Sequence, residues 1–143
     1  MGKIAIDIVL LPPDDIMNLS IKINSEMINK FEPEQILNKE TCMPHATVLM
    51  GVVDENNLGK IYSILGEVAK KFFALDLTIT KDYDSGRPNG DRGSTCFEIE
   101  KTKELMNLQE ELVERCKPFL SYDGTIEMLF NPPEVNELSL HWL

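Results

Sequence analysis

Apolar residues recur along the chain with two different periods, and each period predicts a type of element. Alternation over Ile4–Leu11 predicts a mostly buried strand, which Pro12 and Pro13 end. A helical pattern follows, and Asp14 or Asp15 is expected to cap it. The apolar stripe of that helix consists of Ile16, Leu19, Ile23, Met27 and Phe31.

A second strand and helix are predicted after a proline-punctuated loop over residues 32–44. The stretch His45–Val53 is rich in β-branched and apolar residues, which favour a strand. Asp54 is expected to open the next helix. Its apolar stripe consists of Leu58, Ile61, Leu65, Val68 and Phe72.

The second half of the chain begins with a predicted hairpin. Residues 73–81 and 94–100 alternate, and the connection between them is dense in Gly, Pro, Asn and Asp. Thr102 is expected to cap a third helix, which ends before Pro118. The stripe of that helix consists of Leu105, Leu108, Leu112 and Cys116.

A short strand over 125–130 and a fourth helical pattern, with Val135, Leu138 and Trp142, complete the prediction. The order β-α-β-α-β-β-α-β-α indicates helices packed on a sheet, in an α/β or α+β arrangement. No linker or low-complexity segment interrupts the 143 residues, so we expect one domain over residues 1–143.

Composition narrows the classes of function. The sequence has no apolar run of about 18 residues and no signal-peptide cleavage pattern, so we expect no membrane association and a cytoplasmic location. Three scattered cysteines argue against a disulfide framework. The formal net charge of −10 disfavours tracking along a duplex nucleic acid, because an acidic surface repels the phosphate backbone.

The segment PHATVLMG, Pro44 to Gly51, contains one of the two histidines. On a strand, alternate side chains share a face, so His45 and Thr47 are expected to point the same way. An imidazole transfers a proton near neutral pH, and a threonine hydroxyl donates to a phosphate oxygen. The pattern fits phosphoester chemistry; a hydrogen-bonded structural histidine is the alternative.

The same segment resembles the first signature of the two-histidine (2H) phosphoesterases, the superfamily of 2′-5′ RNA ligase-like proteins and cyclic phosphodiesterases. The stretch AIDIVLLPPDDI, Ala5 to Ile16, resembles the opening strand, proline turn and first helix of that family. Ser94–Cys116 resembles its strand and helix in the second half. The resemblance covers nearly all of the chain.

The resemblance implies a two-lobed, pseudo-symmetric α+β fold with helices outside, in which each lobe supplies one His-x-Thr/Ser. One histidine is then the general base and the other the general acid, and the hydroxyl groups hold the phosphate. No metal or other cofactor is implied. The implied substrates are small nucleotides or RNA termini with 2′,3′-cyclic phosphates or 2′-5′ linkages, with His45 and Thr47 as one of the two motifs.

The second motif does not follow within the 143 residues. The other histidine, His141, lies on the fourth helical pattern, and Leu143 stands where a hydroxyl residue is expected. We therefore expect a chain that lacks its C-terminal strands. Loss of one of two proton-transfer groups lowers the rate by roughly 10²–10⁴-fold. An unpaired sheet edge is expected to favour a homodimer.

Other interpretations stay open. Cys42 and His45 form a Cys-x-x-His pair, but a zinc site needs three or four ligands, and a nucleophile pair across Pro44 would not face each other. Arg87 and Arg92, in the loop of the hairpin, suit a phosphate, and an exposed loop is the alternative. The whole scaffold can also serve as a non-catalytic module that binds a nucleotide or a protein.

Overall fold

The computed structural model describes residues 2–30, 35–72, 74–85, 94–121, 123–125 and 128. Their elements run in the order β1 (Lys3–Leu10), α1 (Asp14–Ile28), β2 (Ala46–Asp54), α2 (Leu58–Lys71), β3 (Ile79–Ser85), β4 (Ser94–Ile99), α3 (Lys103–Cys116) and β5 (Leu120–Ser121). The strand pairs are antiparallel, so the fold is α+β, as the sequence predicts.

The chain divides into two compact units. Among the described residues, the first contains those up to Asn56 and those from Leu120 onwards, and the second contains those between Asn57 and Phe119. No helix within the described ranges is long and apolar enough to cross a membrane.

A three-stranded sheet in the order β1-β2-β5 forms the first unit together with α1. Strand β2 is the central strand, and its Val52 and Val53 are completely buried; the other buried apolar residues of this unit are Ile8, Met17 and Val48. Lys3 connects the two outer strands by donating a hydrogen bond of 2.8 Å to the Ser121 hydroxyl. The sequence does not predict strand β5, because a strand of two residues is too short to show an alternating pattern.

The second unit contains the β3-β4 hairpin and two helices that pack on each other. Its buried apolar residues lie on the facing stripes predicted from the sequence, with Ile64 in place of Leu65: Ile61, Ile64, Val68, Leu108, Leu112 and Cys116. Salt bridges connect Lys71 to Glu111 and Arg115 to Glu67. The hydrogen bond to Glu67 raises the pKa of the Arg115 guanidinium.

Several predicted boundaries are wrong, and two of them have a local reason. Pro13 occupies the N-cap position of α1 without a side-chain hydrogen bond, while Asp14 and Asp15 lie in the first turn, where a carboxylate stabilises the helix dipole. Strand β2 continues through Asp54, whose side chain accepts a hydrogen bond of 2.8 Å from Asn56 N–H and so starts a short 3₁₀ turn before α2. Strand β3 begins at Ile79.

Other boundaries are confirmed. The Thr102 hydroxyl accepts a hydrogen bond of 3.2 Å from Leu105 N–H, as expected of an N-cap. The predicted strand over 125–130 lies mostly outside the described residues, and the predicted helix from Val135 lies wholly outside them.

The three cysteines differ in exposure, and this difference predicts their reactivity. Cys96 is exposed, Cys42 is half-buried and Cys116 is buried, and burial raises the pKa of the Cys116 thiol. Because the thiolate is the reactive form, we expect iodoacetamide to modify Cys96 first, Cys42 next and Cys116 only after denaturation. Mass spectrometry of alkylated peptides checks this order. Equal labelling of Cys116 with and without urea would contradict the packing of α3.

Candidate functional site

A β-bulge in β2 determines where the Thr47 side chain lies. From Lys3 to Ile8, β1 pairs with β2 in one register, in which Asp7 is opposite Met50. The register then shifts, and Val9 is opposite Thr47, so β2 contains one extra residue, Val48. Opposed residues of an antiparallel pair point to the same face. The bulge therefore brings Thr47 to the face of Asp7 and Val9, while Val48 is buried.

Asp7 lies beside Thr47 on this face of the sheet. The Thr47 hydroxyl donates a hydrogen bond of 3.1 Å to Asp7 Oδ2. The Asp7 side chain retains 33% of its exposure, so the pair is open to solvent. Without the bulge, Thr47 would be opposite Leu10 and would point to the other face of the sheet.

His45 lies directly before β2, rather than within the strand as the sequence predicts. Its Nδ1 is 2.6 Å from the Met43 carbonyl oxygen. Because a carbonyl only accepts, we assign the proton to Nδ1, which leaves Nε2 as the nitrogen that can exchange a proton. Nε2 lies 3.4 Å from Asp7 Oδ2, and the His45 side chain is 39% exposed.

The loop that leads to His45 is held by side-chain amides. The Asn38 carbonyl oxygen accepts hydrogen bonds of 2.7 Å from the backbone N–H groups of Glu40 and Thr41. Asn24 on α1 uses both ends of its amide, donating to Gln35 O at 3.1 Å and accepting from Leu37 N–H at 2.9 Å. These contacts stabilise the turn and hold its first residues beside α1.

One ion pair adds to this support. Lys39 Nζ lies 2.9 Å from Asp14 Oδ1 at the start of α1. The hydrogen bond and the charge of Lys39 lower the pKa of the Asp14 carboxyl. The His45 loop is therefore attached to α1 through both Asn24 and Asp14. The ion pair of Lys39 and Asp14 is solvent-exposed, so it contributes little to stability.

Three atoms determine what chemistry the site can perform: His45 Nε2, Thr47 Oγ1 and Asp7 Oδ2. His45 Nε2 and Thr47 Oγ1 both approach a single oxygen, Asp7 Oδ2, at 3.4 and 3.1 Å. One group can exchange a proton and the other donates a hydrogen bond, so together they can hold and protonate one small oxyanion. We define these three residues, Asp7, His45 and Thr47, as the oxyanion cluster.

The other sequence candidates add no described group to this site. Arg87, Arg92 and His141 lie outside the described residues. Cys42 is half-buried, and its backbone N–H lies 3.4 Å from Asn38 Oδ1. Among the described residues, no three His, Cys, Asp or Glu side chains are grouped so that they could hold a metal ion.

Asp7 is the member of the cluster that sequence reasoning missed. The alternating pattern of the strand gives this position no function by itself. A signal was nevertheless present, because Asp7 is the one charged residue within the otherwise apolar stretch Ile4–Leu11. A charge on a strand of this kind needs a partner or a function.

The chain matches no protein-family model, no curated protein and no solved structure. The oxyanion cluster is therefore interpreted from its own geometry and from the motif in PHATVLMG.

Proposed function

We propose that the protein acts on phosphoesters, with His45 as a proton-transfer group and Thr47 as a phosphate-binding hydroxyl. The observation that carries the proposal is the approach of His45 Nε2 and Thr47 Oγ1 to the same carboxylate oxygen, at 3.4 and 3.1 Å. A phosphate oxygen placed at that position would meet both groups. The proposal includes the two-lobed, pseudo-symmetric fold that the resemblance to the 2H phosphoesterases implies.

The local geometry supports an acid/base role for Nε2 in particular. Because Nδ1 donates to the Met43 carbonyl oxygen, the ring has a fixed tautomer and orientation. Nε2 then takes a proton from water or a ribose hydroxyl when it acts as a base, and gives one to the leaving oxygen when it acts as an acid. Substrates of this chemistry are 2′,3′-cyclic phosphates or 2′-5′ diesters, either free or at the end of an RNA.

The first experiment measures binding of 2′,3′-cyclic AMP by NMR titration of the wild type, His45→Ala and Thr47→Val. Valine has the shape of threonine without its hydroxyl, so this variant removes one hydrogen bond with little change in packing. A hydrogen bond to a charged group contributes about 1.5–3 kcal/mol, so we expect each variant to bind on the order of tenfold or more weakly.

A matched control is Thr80→Val. The Thr80 hydroxyl is also on an exposed strand, where it donates to the Glu98 carbonyl oxygen at 3.2 Å, and it lies in the second unit. This variant should bind the nucleotide like the wild type. Unchanged binding by Thr47→Val, or an equal loss in both threonine variants, would remove Thr47 from the proposal.

Turnover is measured in the same samples by ³¹P NMR, which distinguishes the cyclic diester from its monoester products. Loss of a general acid or base costs roughly 10²–10⁴-fold in rate, so any hydrolysis should fall below detection in His45→Ala. Equal hydrolysis by wild type and His45→Ala would exclude this histidine from the reaction. Binding that depends on His45 without hydrolysis would favour the nucleotide-binding module.

A further inference from the structure

Asp7 has a role in the oxyanion cluster that the pair of His45 and Thr47 does not explain. Its Oδ2 already accepts the hydrogen bond of Thr47 and lies 3.4 Å from His45 Nε2. A carboxylate oxygen therefore occupies the position that a phosphate oxygen needs. A phosphate that binds here has to replace Asp7 as the partner of both His45 Nε2 and Thr47 Oγ1.

The Asp7 carboxylate can turn aside when a phosphate enters, but it cannot leave the site. Its backbone belongs to the paired part of β1, opposite Met50, and an aspartate side chain has only two rotatable bonds. The carboxylate consequently remains beside any phosphate that His45 and Thr47 hold, and its negative charge repels that phosphate.

This repulsion depends on the charge of the ligand. A phosphodiester, including a 2′,3′-cyclic phosphate, carries one negative charge, whereas a phosphomonoester near neutral pH carries close to two. We propose that Asp7 is a specificity-determining residue that selects singly charged phosphodiesters against doubly charged phosphomonoesters. This inference rests on the proposed function, because it takes His45 and Thr47 as the phosphate-binding pair.

The magnitude follows from Coulomb's law. One additional charge about 5 Å from a carboxylate, in a partly exposed site of intermediate dielectric, is expected to change affinity on the order of tenfold. The same repulsion would speed the release of a monoester product. For a diester hydrolase, Asp7 would therefore limit product inhibition.

The experiment compares dissociation constants of 2′,3′-cyclic AMP and 2′-AMP for the wild type and Asp7→Asn at pH 7.5 and low salt. We expect the wild type to bind the cyclic diester about tenfold more tightly than the monoester. In Asp7→Asn, affinity for 2′-AMP should rise on the order of tenfold more than affinity for the diester, so that the preference disappears. Added salt should reduce the wild-type preference by screening.

Asp123→Asn is the matched control, because it removes one carboxylate of the same unit at a site where the side chain is 88% exposed. It should leave the preference unchanged. Asp7→Ser, which also removes the charge, is the second variant if Asp7→Asn does not fold. Both variants are compared with the wild type by circular dichroism before binding is measured.

The outcomes separate this inference from the proposed function. If both nucleotides bind in a manner that depends on His45, and Asp7→Asn leaves their ratio unchanged, Asp7 does not determine specificity and the proposed function stands. If Asp7→Asn binds both nucleotides more weakly, Asp7 positions His45 and Thr47 and the inference is overturned. If neither nucleotide binds the wild type with dependence on His45, the proposed function and the inference are both wrong.

Discussion

Leu112→Ala is expected to lower the free energy of unfolding by about 2–5 kcal/mol, the range for removing a buried leucine side chain. Leu112 is 2% exposed and lies on α3 between Leu108 and Cys116, which are also buried. The substitution removes apolar surface from the core and leaves a cavity that packed helices fill only partly. The corresponding decrease in Tm is on the order of 10 °C.

The neighbouring residue supplies the control. Val113 is on the same helix but is 38% exposed. Val113→Ala removes apolar atoms that water already reaches, and alanine is the better helix former, so we expect a change within about 0.5 kcal/mol. Urea denaturation followed by circular dichroism measures both variants. Equal destabilisation would mean that α3 does not bury the stripe that ends at Cys116.

Gly51→Val is expected to destabilise the first unit by about 1–3 kcal/mol, because the added side chain overpacks the contact between β2 and β5. A Cβ atom at Gly51 would lie 3.1 Å from Leu120 Cδ2 and 3.6 Å from Leu120 Cδ1. Valine has the higher strand propensity, but that preference spans only about 1 kcal/mol. Steric overlap therefore decides the sign.

A second substitution tests the cause. Leu120→Ala removes the side chain that meets the new Cβ, so the double variant Gly51→Val/Leu120→Ala should be more stable than the sum of the two single changes by about 1 kcal/mol. Urea denaturation of all four proteins completes the cycle. Additive effects would show that the contact with Leu120 is not the cause of the destabilisation.

The helices of the second unit could be predicted almost completely from the sequence. Their stripes have the helical period over several turns, and a pattern of that length leaves little ambiguity. Leu108, Leu112 and Cys116 are buried as expected, and Thr102 caps α3. Boundaries were less accurate where a side chain competes with the backbone, as Asp54 does at the end of β2.

The oxyanion cluster could be predicted only in part. His45 and Thr47 follow from the motif. Strict alternation along a strand predicts that their side chains share a face, but the structure brings the two groups together in another way. His45 lies before the strand, and Thr47 reaches the face of Asp7 through the bulge. A bulge depends on the pairing of two strands, so the sequence of one strand does not reveal it. Asp7 enters the cluster for the same reason.

The extra residue in β2 separates two registers within one strand. Pairs from Ile8–Leu49 to Lys3–Asp54 follow one register and include the buried Val52 and Val53, whereas Val9–Thr47 and Leu10–Ala46 follow the other. The register of the short segment that contains Thr47 is thus independent of the register of the part that contains the buried Val52 and Val53. A change of one residue in chain length at Val48 would turn the hydroxyl to the opposite face while the core pairing stays as it is. The strand therefore offers evolution a place where the chemistry of the surface can change while the register of the core pairs is kept, although loss of Val48 itself would remove a buried side chain.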